Sequence, residues 1–284
     1  MIYEHEIPKN SRLYFGKSAK LKREIENISS EVLESFGYEE IVTPILSYHQ
    51  HNAVNEKELI RFSDERNNII SLRADSTLDV VRLITKRLGR SVKNKKWFYI
   101  QPVFRYPSSE IYQVGAEYIG SDDLSEPIKI VIDIYKKLDL NPTLHICNIN
   151  IPKIISKDLG LPISVFETGN LEEILKINVQ WLNKLACLQF VDDIKEVIKI
   201  APKNIKEELE KMYILSKKIE YKNILFSPLY YAKMRYYDDL FFRFFDSNKT
   251  LCIGGYYKFK DIQAVGFAEY LDAIIEVKGS MSDE

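Results

Sequence analysis

The clearest pattern of apolar and polar positions in this chain lies between residues 97 and 120. Residues 98–104 alternate as a β-strand does, and residues 111–119 alternate in the same way. Pro107 and the two serines after it separate the two runs, which is typical of a turn. The pattern therefore predicts an antiparallel β-hairpin.

One face of this hairpin carries polar side chains. Successive side chains of a strand point to opposite faces, so Gln113, Gly115 and Glu117 share a face, and Arg105 ends the other strand. The hairpin therefore presents a guanidinium, an amide and a carboxylate over one surface. We expect a ligand to approach the backbone at Gly115, because glycine has no side chain.

Apolar spacings of three and four predict two helices before the hairpin. Ser18 is a candidate N-cap for the first, and Gly37 suits the position just past its end. Either Asp75 or Ser76 can cap the second. The predicted elements of this part are a helix over 19–36, a strand over 38–46, a loop or short helix over 52–68, a strand over 69–73 and a helix ending at Leu88.

The chain after the hairpin alternates between sheet and helix patterns. Residues 151 to about 222 are lysine-rich and amphipathic, and are interpreted as a helical insertion or a small appended lobe whose charges are solvated. Its helices are expected to begin at Leu171 and Asp192. The other predicted elements are a helix over 125–138 and a strand over 143–149, and the sheet is expected to resume near Pro228 with a Phe-rich strand over 235–245.

Composition narrows the class of protein. The 284 residues are 45% hydrophobic, which is enough for a sizeable core, and the net charge of −1 does not favour nucleic-acid binding. No apolar run reaches the length of about 18 residues that a membrane span needs, and no signal segment is expected. The three cysteines form no CxxC pair, so we expect a reduced, cytoplasmic protein.

The histidines of this sequence do not predict a metal-binding site. His49 and His51 can share a strand face and bind a metal, but no carboxylate or cysteine partner is evident, so a surface pair is the favoured interpretation. His145 lies in an apolar run and is predicted to be a core residue. We expect no metal and no cofactor.

Six segments in order resemble the class II aminoacyl-tRNA synthetases, specifically the histidyl branch. PVFRY (102–106) followed by QxGxExxG (113–120) resembles motif 2, and LRADST (72–77) resembles the LRPEGT-type segment of that branch. The helix–strand pair around Gly37 resembles motif 1, although any helix–strand pair has this pattern. The remaining matches are RYYDDLFFRFF (235–245), LCIGGYYKF (251–259) and AVGFAEYLDAI (264–274). The last two imply two further strands and a terminal helix.

The resemblance covers roughly residues 8–275 and implies a fold. It implies an α+β, class II synthetase-like, mostly antiparallel sheet flanked by helices, as one domain over 1–284. The helical insertion over about 151–222 would lie within it. Motif 1 implies self-association as a dimer. The chain ends where a synthetase would begin its anticodon-binding domain, so none is expected.

The resemblance also implies an amino-acid site. Asp75 would bind the ammonium group of histidine with Thr77 beside it, since a desolvated ammonium needs a carboxylate. Two open alternatives are that Asp75 only caps a helix and that the paired tyrosines are core aromatics. The residues implied to bind histidine are Asp75, Thr77, Arg105, Gln113, Glu117, Tyr236 and Tyr237.

Several positions depart from the synthetase pattern. Ala232 and Ala273 stand where synthetases have arginines that activate histidine and grip ATP, and Tyr256 replaces a third arginine. Asp238 and Asp239 replace the Thr-Gly of the YYTG pattern and are expected to place acidic groups near the pocket. Adenylate formation needs fixed cations around the phosphates, so we expect no catalytic residue and no aminoacylation.

A synthetase core without these arginines resembles the regulatory subunit of short-form ATP phosphoribosyltransferase. That family implies binding to the catalytic subunit in a hetero-octamer, a requirement in the first step of histidine biosynthesis, and feedback inhibition with histidine as effector. No membrane and no nucleic-acid partner is implied. Two alternatives stay open: a diverged synthetase-like ligase that activates an amino acid, and a stand-alone amino-acid sensor.

Overall fold

A computed structural model describes residues 7–50, 53–89, 91–231 and 237–282. The chain divides into two compact units. The first comprises the described residues up to Gly120, Lys136–Leu140 and those from Gly266 onward. The second comprises Ser121–Tyr135 and Asn141–Val265.

The helices and strands follow in chain order. The first part contains α1 (Gly16–Ser35), β1 (Glu39–Glu40), β2 (Leu46–Ser47), a 3-10 helix (Glu56–Glu58), β3 (Arg61–Ser63), β4 (Ile69–Leu72), α2 (Thr77–Leu83), a π-helix (Ile84–Leu88), β5 (Lys96–Arg105) and β6 (Ser109–Ile119). The middle contains α3 (Ser125–Lys137), β7 (Thr143–Asn148), α4 (Asn150–Leu159), α5 (Ile163–Glu167), α6 (Leu171–Leu175), α7 (Gln180–Ala186), a 3-10 helix (Val191–Asp193), α8 (Ile194–Ile200) and α9 (Lys203–Lys217). The last part contains β8 (Ile224–Phe226), β9 (Tyr237–Asp246), β10 (Lys249–Phe259), β11 (Ile262–Tyr270) and α10 (Leu271–Ser282).

The strands of the first unit belong to two sheets. In one, β5 pairs with β1 in parallel and with β6 antiparallel, in an unbroken register from Lys96–Tyr118 to Arg105–Ser109. In the other, β4 lies between β2 and β3 and is antiparallel to both. The hairpin predicted from the alternating pattern is therefore confirmed. Helices α1 and α10 pack against β6.

Helix α1 begins earlier than predicted but ends as predicted. Ser18 lies in its first turn, where its hydroxyl accepts from the backbone N–H of Phe15 at 3.1 Å. At the other end, Gly37 has φ of 81°. The N–H groups of Gly37 and Tyr38 donate to the carbonyls of Glu34 and Leu33, which is the Schellman arrangement.

The single strand predicted over residues 38–46 is wrong, because β1 and β2 are two short strands in different sheets. The Ile41 N–H still donates to the carbonyl of Phe98 in β5, but the peptides at Thr43 and Pro44 bond to side chains. The backbone N–H of Thr43 donates to Gln101 at 3.2 Å, and Arg73 donates to the carbonyls of Thr43 and Pro44 at 2.8 and 3.3 Å. Pro44 itself has no N–H to offer.

The second unit contains the strand order β10–β9–β7–β8. Strand β9 is antiparallel to β10 and β7, whereas β7 and β8 are parallel. The strand β11 contributes Ile262–Val265 to this unit and its remaining residues to the first. Phe241, Phe242 and Phe244 of β9 are fully buried and dominate the core of this unit.

The region between β7 and β8 is helical, as its amphipathic pattern predicts, and comprises α4 to α9. The run from Leu171 divides into α6 and α7, because Asn178 between them has φ of 54° and cannot continue a helix. Among the described residues, no helix is both long enough and apolar enough to cross a bilayer.

Candidate functional site

The polar face of the hairpin is built by directly opposed residues of β5 and β6. Gln101 lies opposite Gln113, Tyr99 opposite Gly115, and Trp97 opposite Glu117. Opposed residues of an antiparallel pair point to the same face, so these side chains and Arg105 share one surface. The sequence pattern predicted this face correctly, apart from Trp97, Tyr99 and Gln101, which it did not single out.

The space beside Gly115 is filled by a neighbouring side chain and not left open for a ligand. A Cβ atom at this position would overlap the ring of Tyr99. The expectation that a ligand approaches the backbone at Gly115 is therefore wrong, because the buried phenol ring of Tyr99 already fills that space. The sequence could have indicated this, because Tyr99 is the residue opposite Gly115 in the hairpin and a large ring can fill the space that a glycine leaves.

The Tyr99 hydroxyl links two of the predicted site residues. It lies 3.4 Å from the Thr77 hydroxyl and donates to the Glu117 carboxylate at 3.3 Å. Glu117 is completely buried, and Gly266 comes so close to its carboxylate that no Cβ would fit there. The three residues form one connected, water-excluded polar group.

Asp75 lies at the turn between β4 and α2. Its carboxylate accepts the backbone N–H of Leu78 at 3.1 Å, so it caps the helix, whereas Ser76 makes no side-chain cap. The Ser76 hydroxyl instead accepts from the Gln101 amide at 3.0 Å, which joins the start of α2 to the hairpin face. Capping is thus confirmed for Asp75, and ligand binding by the same carboxylate stays a prediction.

Arg105 reaches the same turn from the end of β5. Its Nε donates to the carbonyl of Ala74 at 3.2 Å, and its guanidinium lies 3.8 Å from the carboxylate of Glu58. Five of the seven predicted residues therefore lie on or beside one surface of the first unit. They are Asp75, Thr77, Arg105, Gln113 and Glu117. Carboxylates and a guanidinium at one surface can bind the ammonium and carboxylate of an amino acid.

The turn also depends on Gln50, which sequence reasoning missed. Its side-chain amide bonds to the backbone of Ala74 and Asp75 and to the carboxylate of Asp79. Asp79 accepts in turn from Ser47 and Arg82. Gln50 lies 25 residues before Asp75 and outside the strand and the loop predicted on either side of it, so no local pattern indicates it.

The two predicted tyrosines belong to the second unit. Tyr237 is buried, and its ring stacks on Phe241 with centroids 5.9 Å apart and planes 8° from parallel. Tyr236 and Ala232 lie outside the described residues. Stacking within β9 is what the core-aromatic interpretation of Tyr237 predicts, and its contact with histidine stays a prediction.

The acidic pair after these tyrosines engages lysines. Asp238 is exposed and lies 3.5 Å from Lys258. Asp239 is 3.3 Å from Lys211 of α9, and burial raises the pKa of its carboxyl group. Each acid therefore has a counter-charge within the second unit.

The histidines are spread over both units. His49 is exposed, and His51 lies outside the described residues. His145 is half-buried, accepts from Arg243 at 3.3 Å, and has its pKa lowered to about 4 by burial and by that guanidinium. Within the described part of the chain, no three His, Cys, Asp or Glu side chains are grouped to hold a metal ion.

The chain is similar to known proteins over nearly its whole length. The family model described as Histidyl-tRNA synthetase matches residues 16–274. A protein of Wolinella succinogenes named ATP phosphoribosyltransferase regulatory subunit is 46% identical over 277 residues, which cover 97% of this chain and 96% of that protein. A protein of the same name from Helicobacter hepaticus is 42% identical, with 97% and 99% covered.

Solved structures show the same fold. A crystal structure described as an ATP phosphoribosyltransferase regulatory subunit/histidyl-tRNA synthetase from Bacillus halodurans superposes with a TM-score of 0.83 at 23% identity, covering 97% of this chain and 84% of that one. The class II synthetase-like fold is therefore confirmed. The chain belongs to the histidyl-tRNA synthetase family and, within it, to the ATP phosphoribosyltransferase regulatory subunits.

Proposed function

We propose that this protein is the non-catalytic regulatory subunit of a short-form ATP phosphoribosyltransferase, required for the first step of histidine biosynthesis. The observation that carries the proposal is the 46% identity, over nearly the whole of both chains, to a protein of that name. The partner is the catalytic subunit, with which the chain assembles into a hetero-octamer in the cytoplasm. The three cysteines are free thiols, which suits a reducing compartment.

Histidine is the proposed effector, and the polar surface of the hairpin and turn is its proposed site. The carboxylates of Asp75 and Glu117 suit an ammonium group and an imidazole N–H, and Arg105 suits the carboxylate of the amino acid. Thr77, Gln113, Tyr236 and Tyr237 complete the proposed set. Feedback inhibition requires that histidine binds one state of the assembly more tightly than another.

Two features support a binding role over catalysis for this surface. Arg105 already donates to Ala74 and lies beside the carboxylate of Glu58, so its charge is partly neutralised. Ala273 offers no cation where the resemblance expects an arginine. Loss of one oriented donor to a developing charge commonly lowers rates by about 10²–10³-fold.

Self-association is proposed through the three-stranded sheet of the first unit. Large apolar side chains on and beside this sheet are exposed, and Leu46 and Phe62 share one of its faces because they oppose Leu72 and Ile70 of β4. Exposed apolar side chains grouped in this way mark an interaction surface. The residues are Val42, Ile45, Leu46, Tyr48, Phe62 and Ile69.

Reconstitution tests the proposed function. The purified chain is mixed with a short-form catalytic subunit, and the condensation of ATP with phosphoribosyl pyrophosphate is followed together with the mass of the complex. We expect a stable complex and a clear rise in rate. A catalytic subunit that neither binds the chain nor responds to it contradicts the proposal.

A ligase is the competing function, since the family also contains histidine–tRNA ligases. Amino-acid-dependent exchange of pyrophosphate into ATP separates the two. We expect no exchange above background with any common amino acid. An exchange signal that disappears in Arg105→Ala establishes the ligase instead.

A further inference from the structure

In the turn that carries Asp75, two backbone N–H groups bond to a side chain and not to a neighbouring strand. The backbone N–H groups of Ala74 and Asp75 both donate to Oε1 of Gln50, at 2.8 and 2.7 Å. Buried N–H groups need an acceptor, and here one side-chain oxygen serves two of them. The backbone conformation at Asp75 therefore depends on a residue 25 positions away.

The nitrogen of the same side-chain amide donates two hydrogen bonds. Nε2 of Gln50 donates to the carbonyl of Asp75 at 3.0 Å and to the carboxylate of Asp79 at 2.5 Å. An amide has two donors and two acceptor lone pairs, so all four are occupied. Gln50 is 2% exposed, so water cannot replace a lost bond without entering the turn.

The backbone of Gln50 is also held in place. The backbone carbonyl of Gln50 accepts from the backbone N–H groups of Ala53 and Val54 at 3.0 and 3.1 Å. Val54, Leu59 and Ala74 form a small apolar cluster that joins this segment to the turn. The side-chain amide of Gln50 is therefore held in one position between residues 50–54 and the turn that carries Asp75.

We infer that Gln50 is a positioning residue of the amino-acid site, which fixes the Asp75 backbone and carboxylate before the ligand arrives. A side chain held in its binding geometry loses less conformational entropy when the ligand binds. Only an amide can accept from two N–H groups while donating to a carbonyl and a carboxylate. The inference rests on the proposed function, because it assumes that Asp75 binds an amino acid.

Gln50→Glu tests the inference, because it keeps the shape and both acceptor bonds but removes both donors and places a second carboxylate against Asp79. Histidine affinity of the full chain is measured by calorimetry from pH 8 to pH 5.5 and expressed relative to wild type at each pH. We expect affinity roughly tenfold weaker at pH 8, because one or more buried hydrogen bonds are lost.

The pH dependence separates positioning from mere loss of structure. Two adjacent carboxylates share a proton at a pH above the usual carboxyl range, and the protonated Glu can donate again. The ratio of variant to wild-type dissociation constants is therefore expected to fall toward one as the pH falls. Gln189→Glu, the same change on an exposed residue, should give a ratio near one throughout.

Amide hydrogen exchange of the wild type tests, without a substitution, whether Gln50 already holds the turn before histidine binds. We expect the Ala74 and Asp75 amides to be protected to the same extent with and without histidine. Rapid exchange that slows only when histidine is added overturns the inference, as does unchanged affinity of a folded Gln50→Glu at pH 8. Wild type that does not bind histidine removes the proposed site itself, and the inference with it.

Discussion

At the scale of single residues, the site depends on polar side chains that are buried and mutually bonded. Tyr99 bridges Thr77 and Glu117, and its ring occupies the space left by Gly115. A buried polar atom that loses its partner costs about 1–3 kcal/mol. Small changes of shape here should therefore disturb both stability and binding.

Gly115→Ala should destabilise the protein by about 1–3 kcal/mol, because its methyl group must push the Tyr99 ring out of place. Urea denaturation measures the change in the free energy of unfolding. In a Tyr99→Leu background the same substitution should cost much less, since the ring is gone. Equal costs in the two backgrounds would show that Tyr99 is not what Gly115 accommodates.

His145 should make stability depend on pH. Its pKa is lowered from 6.5 in the unfolded chain to about 4 in the folded protein, so between these values the unfolded state binds more protons. Stability should therefore fall as the pH drops from about 6.5 toward 4. His145→Gln keeps an acceptor for Arg243 and should lose less stability over this range, whereas an identical pH profile for the two proteins contradicts the assignment.

At the scale of elements, the positions of the helix ends follow from backbone conformation. Gly37 has a positive φ and no neighbour within 4 Å, so a side chain there is strained only through the backbone. Gly279 lies inside α10 in an ordinary helical conformation and also has no neighbour within that distance.

The same substitution should consequently have opposite effects at these two glycines. Gly37→Ala should cost about 1–2 kcal/mol because of the left-handed conformation, and Gly279→Ala should stabilise by up to about 1 kcal/mol because alanine favours helix. Thermal and urea unfolding measure both. A stabilising Gly37→Ala is incompatible with the Schellman end of α1.

Elements with a strong period could be predicted from the sequence, whereas those fixed by long-range side chains could not. The hairpin alternates over nearly twenty residues, so its strands and its polar face follow from the sequence. The break at Thr43 and Pro44 follows from Arg73 and Gln101, whose bonds to these peptides join residues 29 to 58 positions apart. Gln50 was missed for the same reason.

At the scale of the whole molecule, each unit contains part of what the resemblance implies. The first unit brings together Asp75, Thr77, Arg105, Gln113 and Glu117, and the second holds Tyr237 and the lysine-rich helices between β7 and β8. The acids after Tyr237 are paired with Lys258 and Lys211, so they do not by themselves exclude an amino acid.

The exposed apolar patch of the first unit makes a prediction about assembly. Phe62→Glu, at a residue that is 47% exposed and shares a face of the sheet with Leu46, should raise the fraction of monomer in sedimentation experiments while leaving the unfolding temperature unchanged. Leu175→Glu, on an exposed apolar residue of α6, is the matched control and should not alter assembly. Equal sedimentation of both variants and wild type would place the self-association surface elsewhere.

The most direct measurement is histidine inhibition of the reconstituted enzyme with wild-type and Glu117→Gln subunits. Glu117 is fully buried and accepts from Tyr99, so the amide changes the charge of the site with little change in shape. Both subunits should bind and stimulate the catalytic partner, but Glu117→Gln should require at least about tenfold more histidine for half-inhibition. Identical inhibition curves for the two complexes would contradict the proposal that this surface senses histidine.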